Sequence, residues 1–337
     1  MFSCLLSIVY NCRQRSMLLG MHRSVLITGV AGFIGSNLAA ECARLGWRVT
    51  GVDDLSSGDQ RFLPGGVEFV RADFSDGQVL REVEGGAYDT VFHLAAQPRV
   101  SHSVERPFDT NETNVSKSLR LMEACRGRVG RLVFASSSAV YGDSPTLPAQ
   151  ESSMKDPQSP YGLQKLVVED YLRLFWRLYR LDSACLRFFN VFGPNQRGGS
   201  PYSTAVSAWL HAIHSGVSMR SDGEGDQSRD MVHVDNVVSA LVLAAEHRGP
   251  LMGEAFNVGT GHRVTNNEIL EYLLAVFPWA QSHSAPRRPG DVMHTQADIR
   301  RSASVLGYRV VKEFWPGLDD TIRWAADNRE LFLGTRL

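Results

Sequence analysis

Tyr161 and Lys165 stand four residues apart in YGLQK, downstream of a glycine turn, TGVAGFIGS (28–36), and of a serine run, ASSSAVYG (135–142). On a helix this spacing puts both side chains on one face, so the ammonium lies beside the phenol and favours the phenolate. A free tyrosine, with a pKa of about 10, is a poor base near neutrality, and the lysine is what would make it one. Ser159 and Pro160 read as an N-cap and first helical residue. They place Tyr161 in a first turn, where the helix dipole also favours negative charge. Ser137, 24 residues before Tyr161, ends a strand-like run and is the candidate third member of the group, although Ser136 or Ser138 could equally face it.

Gly29, Gly32 and Gly35, spaced GxxGxxG, let a chain turn tightly and bring backbone amides up to a pyrophosphate at a helix N-terminus. Asp53 ends the next strand-like run, 18 residues after Gly35. A carboxylate there accepts both ribose hydroxyls of an adenosine and repels a 2'-phosphate, which favours NAD over NADP. Asp54 could share that role. Asp73, after VEFVRAD, could receive the adenine amino group or equally be a solvated aspartate at a strand end.

These residues need a frame that gathers strand ends. SVLITG, a glycine turn, SNLAAECARLG and WRVTGVDD read as a β-α-β unit. The apolar runs VEFVRAD, DTVFHLAA, RLVFASSS and SACLRFFNV alternate with the amphipathic stretches NVSKSLRLMEACR and LQKLVVEDYLRLFWRLYRL. The alternation predicts an α/β fold, a doubly wound parallel sheet of Rossmann type with helices on both faces. Glycine, proline and serine become dense after residue 195, in NQRGGSPYS, SDGEGDQSRD and SAPRRPGDV. The expected division is therefore a cofactor domain over 21–194 and a smaller substrate lobe over 195–337, with elements such as NVVSALVLAAEH returning to the large domain.

At 337 residues the chain can bury a substantial core, and 43% hydrophobic with 21% charged residues is ordinary for a globular protein. The formal charge of -1 gives no reason to expect nucleic acid or an anionic membrane as partner. Cys4, Cys12, Cys42, Cys125 and Cys185 are an odd number without metal-ligand spacing, so no metal is expected, and a reduced, cytoplasmic protein is. The run MFSCLLSIVY is too short to span a bilayer, and Arg13 and Arg15 follow it instead of preceding it. Residues 1–20 read as a disordered tail or an upstream start before Met21.

With TGVAGFIGS, VDDLSSG, HLAAQ, ASSSAVYG, SPYGLQK, LRFFNVFGP, DGEGDQSRDMVHVDN and RRPGDV in place, the chain resembles the extended short-chain dehydrogenase/reductases over about 23–325. Within them it is similar to the nucleotide-sugar 4-epimerases. The resemblance implies NAD held by Gly29, Gly32, Phe33, Ile34, Gly35, Asp53, Asp73, Leu94, Ala95, Ala96, Asn114, Tyr161, Lys165 and Phe188. It implies a UDP-sugar held by Ser137, Ser138 and Asn190, with Arg229 and Arg288 on the phosphates and Asp291 on the uridine ribose. Ser137, Tyr161 and Lys165 would carry catalysis. It also implies a homodimer joined through helices near 113–126 and 161–180.

Among the resembling activities, 4,6-dehydratases carry an Asp-Glu pair directly after the residue matching Ser137, and here those positions are Ser138 and Ala139. Decarboxylases of uronic acids usually carry a glutamate near there. A non-catalytic NAD-binding regulator would typically have lost the tyrosine or the lysine, and both are present. Thr295, in DVMHTQAD, stands at the sugar gate, where plain UDP-glucose epimerases of bacteria often have tyrosine, and a small gate leaves room for an N-acetyl group. Arg197 matches an arginine that pairs with the carboxylate in UDP-glucuronate epimerases. The expected substrate order is UDP-N-acetylglucosamine, then UDP-glucuronate, then UDP-glucose. Phe188 replaces a tyrosine of some epimerases and Val30 a frequent glycine; neither removes a group the chemistry requires.

Overall fold

The computed structural model describes residues 23–144, 146–199, 204–286 and 292–334. Arg288 and Asp291 lie outside the described residues, as does the tail over 1–20.

The large domain opens with β1 (Ser24–Thr28), α1 (Phe33–Arg44), β2 (Arg48–Asp53), β3 (Glu68–Arg71), α2 (Gly77–Glu84) and β4 (Thr90–His93). Three helices follow: α3 (Val100–Glu105), α4 (Pro107–Asn111) and α5 (Lys117–Cys125), with a π-helical segment, Glu112–Ser116, between the last two. Then come β5 (Arg131–Ser137), α6 (Pro160–Tyr179) and β6 (Ser183–Phe188). β7 (Asn190–Phe192), α7 (Ala205–Ser215), β8 (Met219–Asp222), β9 (Ser228–Arg229) and β10 (Met231–His233) lead into the smaller lobe. α8 (Val234–Glu246) and β11 (Glu254–Val258) return to the large domain. The chain closes with β12 (Val264–Thr265), α9 (Asn266–Val276), β13 (Ser282–Ala285), α10 (Phe314–Asp327) and α11 (Arg329–Leu333).

Seven strands form one sheet in the order β11-β6-β5-β4-β1-β2-β3, and every pairing in it is parallel. The doubly wound sheet expected from the alternation is therefore present. Its central strands are covered on both faces, which is why SVLIT and RLVFASS read as continuous apolar runs. One face packs Leu38 and Ala39 of α1 with Val237 and Leu241 of α8. The other packs Leu121 and Met122 of α5 with Val168 and Leu172 of α6. Each fully buried leucine of this kind contributes roughly 1.5–3 kcal/mol. The smaller lobe has its own core, with Phe192, Trp209, Leu273, Phe314 and Phe332 at its centre.

Parallel strands put their carboxyl ends on one edge, and the order reverses between β1 and β4, where open α/β sheets leave a crevice. Thr28, Asp53, His93, Ser137 and Phe188 are the last residues of their strands and so ring this crevice.

A buried carboxylate joins the two lobes there. Asp230 accepts from Thr260 N at 2.7 Å, Thr260 Oγ1 at 2.8 Å, Gly261 N at 3.0 Å and Ala297 N at 3.0 Å. Its own N–H donates to Thr295 O, and its carbonyl accepts from Asn190 N. Three separate stretches of chain, at 190, 260–261 and 295–297, converge on this one residue. Asp230→Ala is expected to leave these donors unpaired and to cost on the order of 3 kcal/mol, read as a lower urea midpoint at unchanged slope.

Candidate functional site

Gly29 has φ 72°, and a Cβ built there would lie 2.9 Å from Ala95 N. A Cβ on Gly35 would lie 2.1 Å from Gly29 O. These two glycines let the turn and α1 close onto the strands. Gly32 differs: its Cβ would meet only Gly29 O within 4 Å, and it caps α1 without a side-chain bond or an acidic first turn. The open space and the amides of that helix start suit a pyrophosphate. Phe33 and Ile34 follow in the first turn, half-buried.

Asp53 is nearly buried, with Oδ2 accepting from Ala31 N at 3.0 Å and Oδ1 from Leu55 N at 2.8 Å. Burial raises its pKa, against the pull of those two backbone bonds. A cavity of about 570 Å³ opens beside it, lined among others by Leu55, Ser57, Asp59, Arg61, Arg71 and Arg197. Asp73 lies at the neighbouring edge, bonded to Ser75 N and Oγ at 2.8 and 2.7 Å and to Lys117 Nζ at 2.6 Å. Burial opposes ionisation of Asp73, but Lys117 and Ser75 together hold its pKa below the usual carboxylate range.

The segment after β4 is fixed by a directional chain. Leu94 N and Ala95 N donate to Thr28 Oγ1 at 3.2 and 3.1 Å. Thr28 Oγ1 lies 2.9 Å from His93 Nδ1, and His93 Nε2 lies 2.8 Å from Ser118 Oγ, which donates to Asn114 O. Burial pushes the His93 pKa down to about 3, so the ring is neutral. With Thr28 already accepting two N–H bonds, its own hydroxyl proton goes to Nδ1. His93 must then carry its proton on Nε2. Asn114 sits in the π-helical segment and takes both backbone groups of Gln97, accepting from N at 2.7 Å and donating to O at 3.0 Å. It also donates to Gln164 of α6 at 2.8 Å. Ala96 lies within the segment so held.

On α6, Ser159 Oγ accepts from Gly162 N, and Pro160 opens the first turn. Lys165 is 4% exposed, and its Nζ donates to Ala135 O at 2.8 Å, 4.7 Å over the Phe134 ring and 5.8 Å from the centre of the Tyr161 ring. Ser137 Oγ accepts from Ala139 N at 3.2 Å and faces the Tyr161 phenol, whose pKa it pulls down. Ser136 turns the other way, onto Glu169 at 2.5 Å. Ser138 follows in the turn, half-buried. Phe188 pairs with Ser137 across the sheet. The structure thus brings Ser137, Tyr161, Lys165, Phe188 and the glycine turn to one edge.

The electrostatics differ from the expectation of a favoured phenolate. Burial raises the Tyr161 pKa to about 12, with Ser137 as the opposing influence. Burial likewise lowers Lys165 to about 7, Glu169 opposing. Desolvation outweighs the helix dipole because Lys165 is buried and the half-buried Tyr161 has its phenol turned into the crevice.

Among the residues read as substrate contacts, Asn190 and Thr295 meet, with Thr295 Oγ1 3.4 Å from Asn190 Oδ1. Arg229 Nη1 donates to Ser228 O at 3.1 Å and Met293 O at 2.9 Å. Arg197 pairs with Asp59 of the loop beyond Asp53 and lies over the Phe62 ring. It therefore stands at the cavity beside Asp53, with the loop that follows β2.

Sequence reading missed a buried polar network behind this edge. Glu169 is fully buried and accepts from Arg187 Nε at 2.9 Å and Nη2 at 2.6 Å. Arg187 Nη1 donates to Tyr141 Oη at 2.8 Å, and Tyr141 Oη donates to Asn257 Oδ1 at 2.6 Å. Glu169 had a local signal, since 161, 165 and 169 share a helix face. Arg187, Tyr141 and Asn257 come together over long sequence separations and had none.

Residues 25–259 match the model of the NAD dependent epimerase/dehydratase family. The chain is similar to a UDP-glucose 4-epimerase of Mycolicibacterium smegmatis, 35% identical over 89% of this chain and 97% of the relative. Among solved structures it is similar to a UDP-N-acetylglucosamine 4-epimerase of Methanobrevibacter ruminantium M1 in complex with UDP-N-acetylmuramic acid (TM-score 0.84, 34% identity, 91% and 99% of the two chains). It is also similar to MoeE5 in complex with UDP-glucuronic acid and NAD (TM-score 0.81, 36% identity, 90% and 99% of the two chains).

The buried ammonium has a measurable consequence for stability. The unfolded chain holds this proton up to about pH 10.5 and the folded one only to about 7, so the cost is present in full below pH 7 and relieved as pH rises through that window. Lys165→Met is expected to raise stability by on the order of 1 kcal/mol at pH 6 and by less at pH 9, measured by urea denaturation of both proteins at the two pH values.

Proposed function

The chain belongs to the NAD-dependent epimerase/dehydratase family, and from that premise we propose that it inverts C4 of UDP-N-acetylglucosamine to give UDP-N-acetylgalactosamine. The enzyme is an NAD-dependent nucleotide-sugar 4-epimerase, so its site has to take a proton and a hydride from one carbinol and return both, the hydride to the opposite face. The observation that carries the chemistry is the meeting of Ser137, Tyr161 and Lys165 at the crevice edge onto which the glycine turn opens. NAD, when bound, supplies the hydride acceptor and a cationic nicotinamide ring, the positive charge that the buried phenol needs. Gly32 and the start of α1 would hold its pyrophosphate and Asp53 its adenosine ribose.

Tyr161 takes the proton of the sugar 4-hydroxyl through its phenolic oxygen and later gives it back. Ser137, facing that phenol, steadies the hydroxyl and then the ketone oxygen. Lys165 holds positive charge close to the ring. The segment 94–97, tied down by Thr28 and Asn114, keeps the cofactor side of the crevice rigid. Ser138 and Ala139 bring no carboxylic acid for eliminating water from the 4-keto sugar, which favours epimerisation over dehydration.

For the sugar, the supporting observation is Thr295, a small side chain against Asn190 at the gate. UDP-glucuronate is the second reading, favoured by the likeness to MoeE5. Against it, Arg197 already pairs with Asp59. Incubation with UDP-N-acetylglucosamine, UDP-glucuronate and UDP-glucose separately, followed by NMR of the sugar protons, is expected to give a C4 epimer fastest from the first. Tyr161→Phe should lower kcat by about 10²-fold or more with NAD still bound. Thr295→Tyr should cut kcat/KM for the N-acetylated sugar about tenfold relative to UDP-glucose. No epimer from any of the three with NAD supplied overturns the reading.

We also propose a homodimer. Val104, Phe108, Leu163 and Leu178 on α3, α4 and α6 are 61%, 81%, 51% and 60% exposed, an apolar surface of the kind partners cover. Sedimentation at micromolar concentration is expected to show about twice the chain mass, and a monomer would refute it.

A further inference from the structure

The catalytic face of α6 carries a third group at the same spacing. Tyr161, Lys165 and Glu169 are successive i, i+4 neighbours, and Glu169 is wholly buried beneath the other two. Three donors hold its carboxylate: Ser136 Oγ at 2.5 Å, Arg187 Nε at 2.9 Å and Arg187 Nη2 at 2.6 Å. The Arg187 guanidinium meets it in a bidentate, charge-assisted pair.

The placement of those donors ties the carboxylate to the reacting groups. Ser136 stands between Ala135, whose carbonyl takes the Lys165 ammonium, and Ser137, which faces the Tyr161 phenol. Arg187 is the direct cross-strand partner of Ser136. Helix α6 and strands β5 and β6 are thus fastened together at one negative charge, a helical turn from Lys165.

Other charged and titratable groups face the pair. From β4 comes His93, neutral, and from β6 Arg187 and the buried Cys185 thiol, which burial keeps protonated. Tyr141 lies on the turn after β5, its pKa raised by burial. Glu151 and Lys155 stand on the following loop, with Glu151 bonded to Asn257 N. Arg173 and Asp170 pair with each other on the outer part of α6. Within one turn of Lys165 on its own face, Glu169 is the anion.

On the epimerase reading given above, we propose that Glu169 is a positioning residue that keeps Lys165 protonated during turnover, and that Arg187 and Ser136 hold the Glu169 carboxylate in place for that purpose. On that reading, the charge of Lys165 favours the phenolate and so lets Tyr161 give up its proton and take it back. Burial works against that charge, and Glu169 works for it.

The chain has four lysines, Lys117, Lys155, Lys165 and Lys312, so the Lys165 side chain can be followed by NMR in protein labelled with 13C at lysine Cε and assigned with Lys165→Met. The measurements are the pH midpoint of that signal and the pH profile of kcat and KM, in wild type, E169Q and the double variant E169Q/R187M. The double variant removes both buried charges and so guards against misfolding of E169Q, which strands the Arg187 guanidinium. In whichever variant folds, the Lys165 midpoint and the alkaline limb of kcat are expected to move down by roughly one pH unit, with the sugar KM little changed. E169D, which keeps the charge, should restore most of the limb. A folded variant whose Lys165 midpoint and alkaline limb stay at the wild-type position overturns the proposal and leaves Glu169 as a structural bolt. Wild-type protein that turns over no sugar while the midpoint still moves overturns the epimerase reading and upholds the electrostatic link.

Discussion

The constraint on which the rest depends is the burial of a lysine ammonium at the end of the central parallel strands. Lys165 has one hydrogen-bond acceptor, the carbonyl of Ala135, and an aromatic floor in Phe134. An ammonium out of water needs fixed partners. The carbonyl fixes the register of α6 against β5, and this in turn sets Tyr161 against Ser137. Ser136, pointing to the opposite side, then has to find its own partner, and Glu169 is there. Arg187 and Tyr141 follow because a buried carboxylate and a buried guanidinium must each be satisfied in full. One desolvated charge propagates order through three secondary-structure elements.

The same logic connects the lobes. Asp230 sits where β9 passes to β10 and draws in backbone amides from the segments after β11 and around Ala297. Thr295 and Asn190 meet because Asp230 bonds the backbone of both residues. On the other side of the crevice, Asn37 of α1 donates to Pro194 O, and Asn195 donates to Ser36 Oγ. The Arg197–Asp59 pair extends that seam along the loop after β2. The crevice is therefore bounded by polar contacts between lobes on both sides, and the apolar cores lie away from it.

What was legible in the sequence was what is local. The glycine turn, the alternation of strands and helices, and the pairing of Tyr161 with Lys165 each depend on residues a few positions apart, where periodicity and turn chemistry speak directly. EAFNV, the seventh strand, is short and follows a glycine-rich stretch, and nothing within it says that it pairs with β6. The π-helical segment at Asn114 departs from the amphipathic pattern because its side chain is committed to both backbone groups of Gln97. Arg187, Tyr141 and Asn257 are bonded across the fold, with Tyr141 and Asn257 116 positions apart. The phenol's raised pKa was also hidden, because spacing shows the neighbour that favours a charge but not the solvent that has been removed.

A core of hydrocarbon would serve stability better than Glu169, Arg187 and Lys165 do. Well-packed apolar replacements of buried ion pairs are often neutral or stabilising. On the proposed mechanism the network stands directly behind the residues that change protonation, and water cannot take its place: a solvated lysine would hold its proton but lose its fixed position beside the phenol. A dry, unaccompanied lysine would hold position but lose its proton as pH rises. Only a buried ammonium with a buried counter-charge keeps both, and that counter-charge is itself stable only when its remaining lone pairs are filled. The polar network is the physical consequence of asking one side chain to be at once desolvated, immobile and charged.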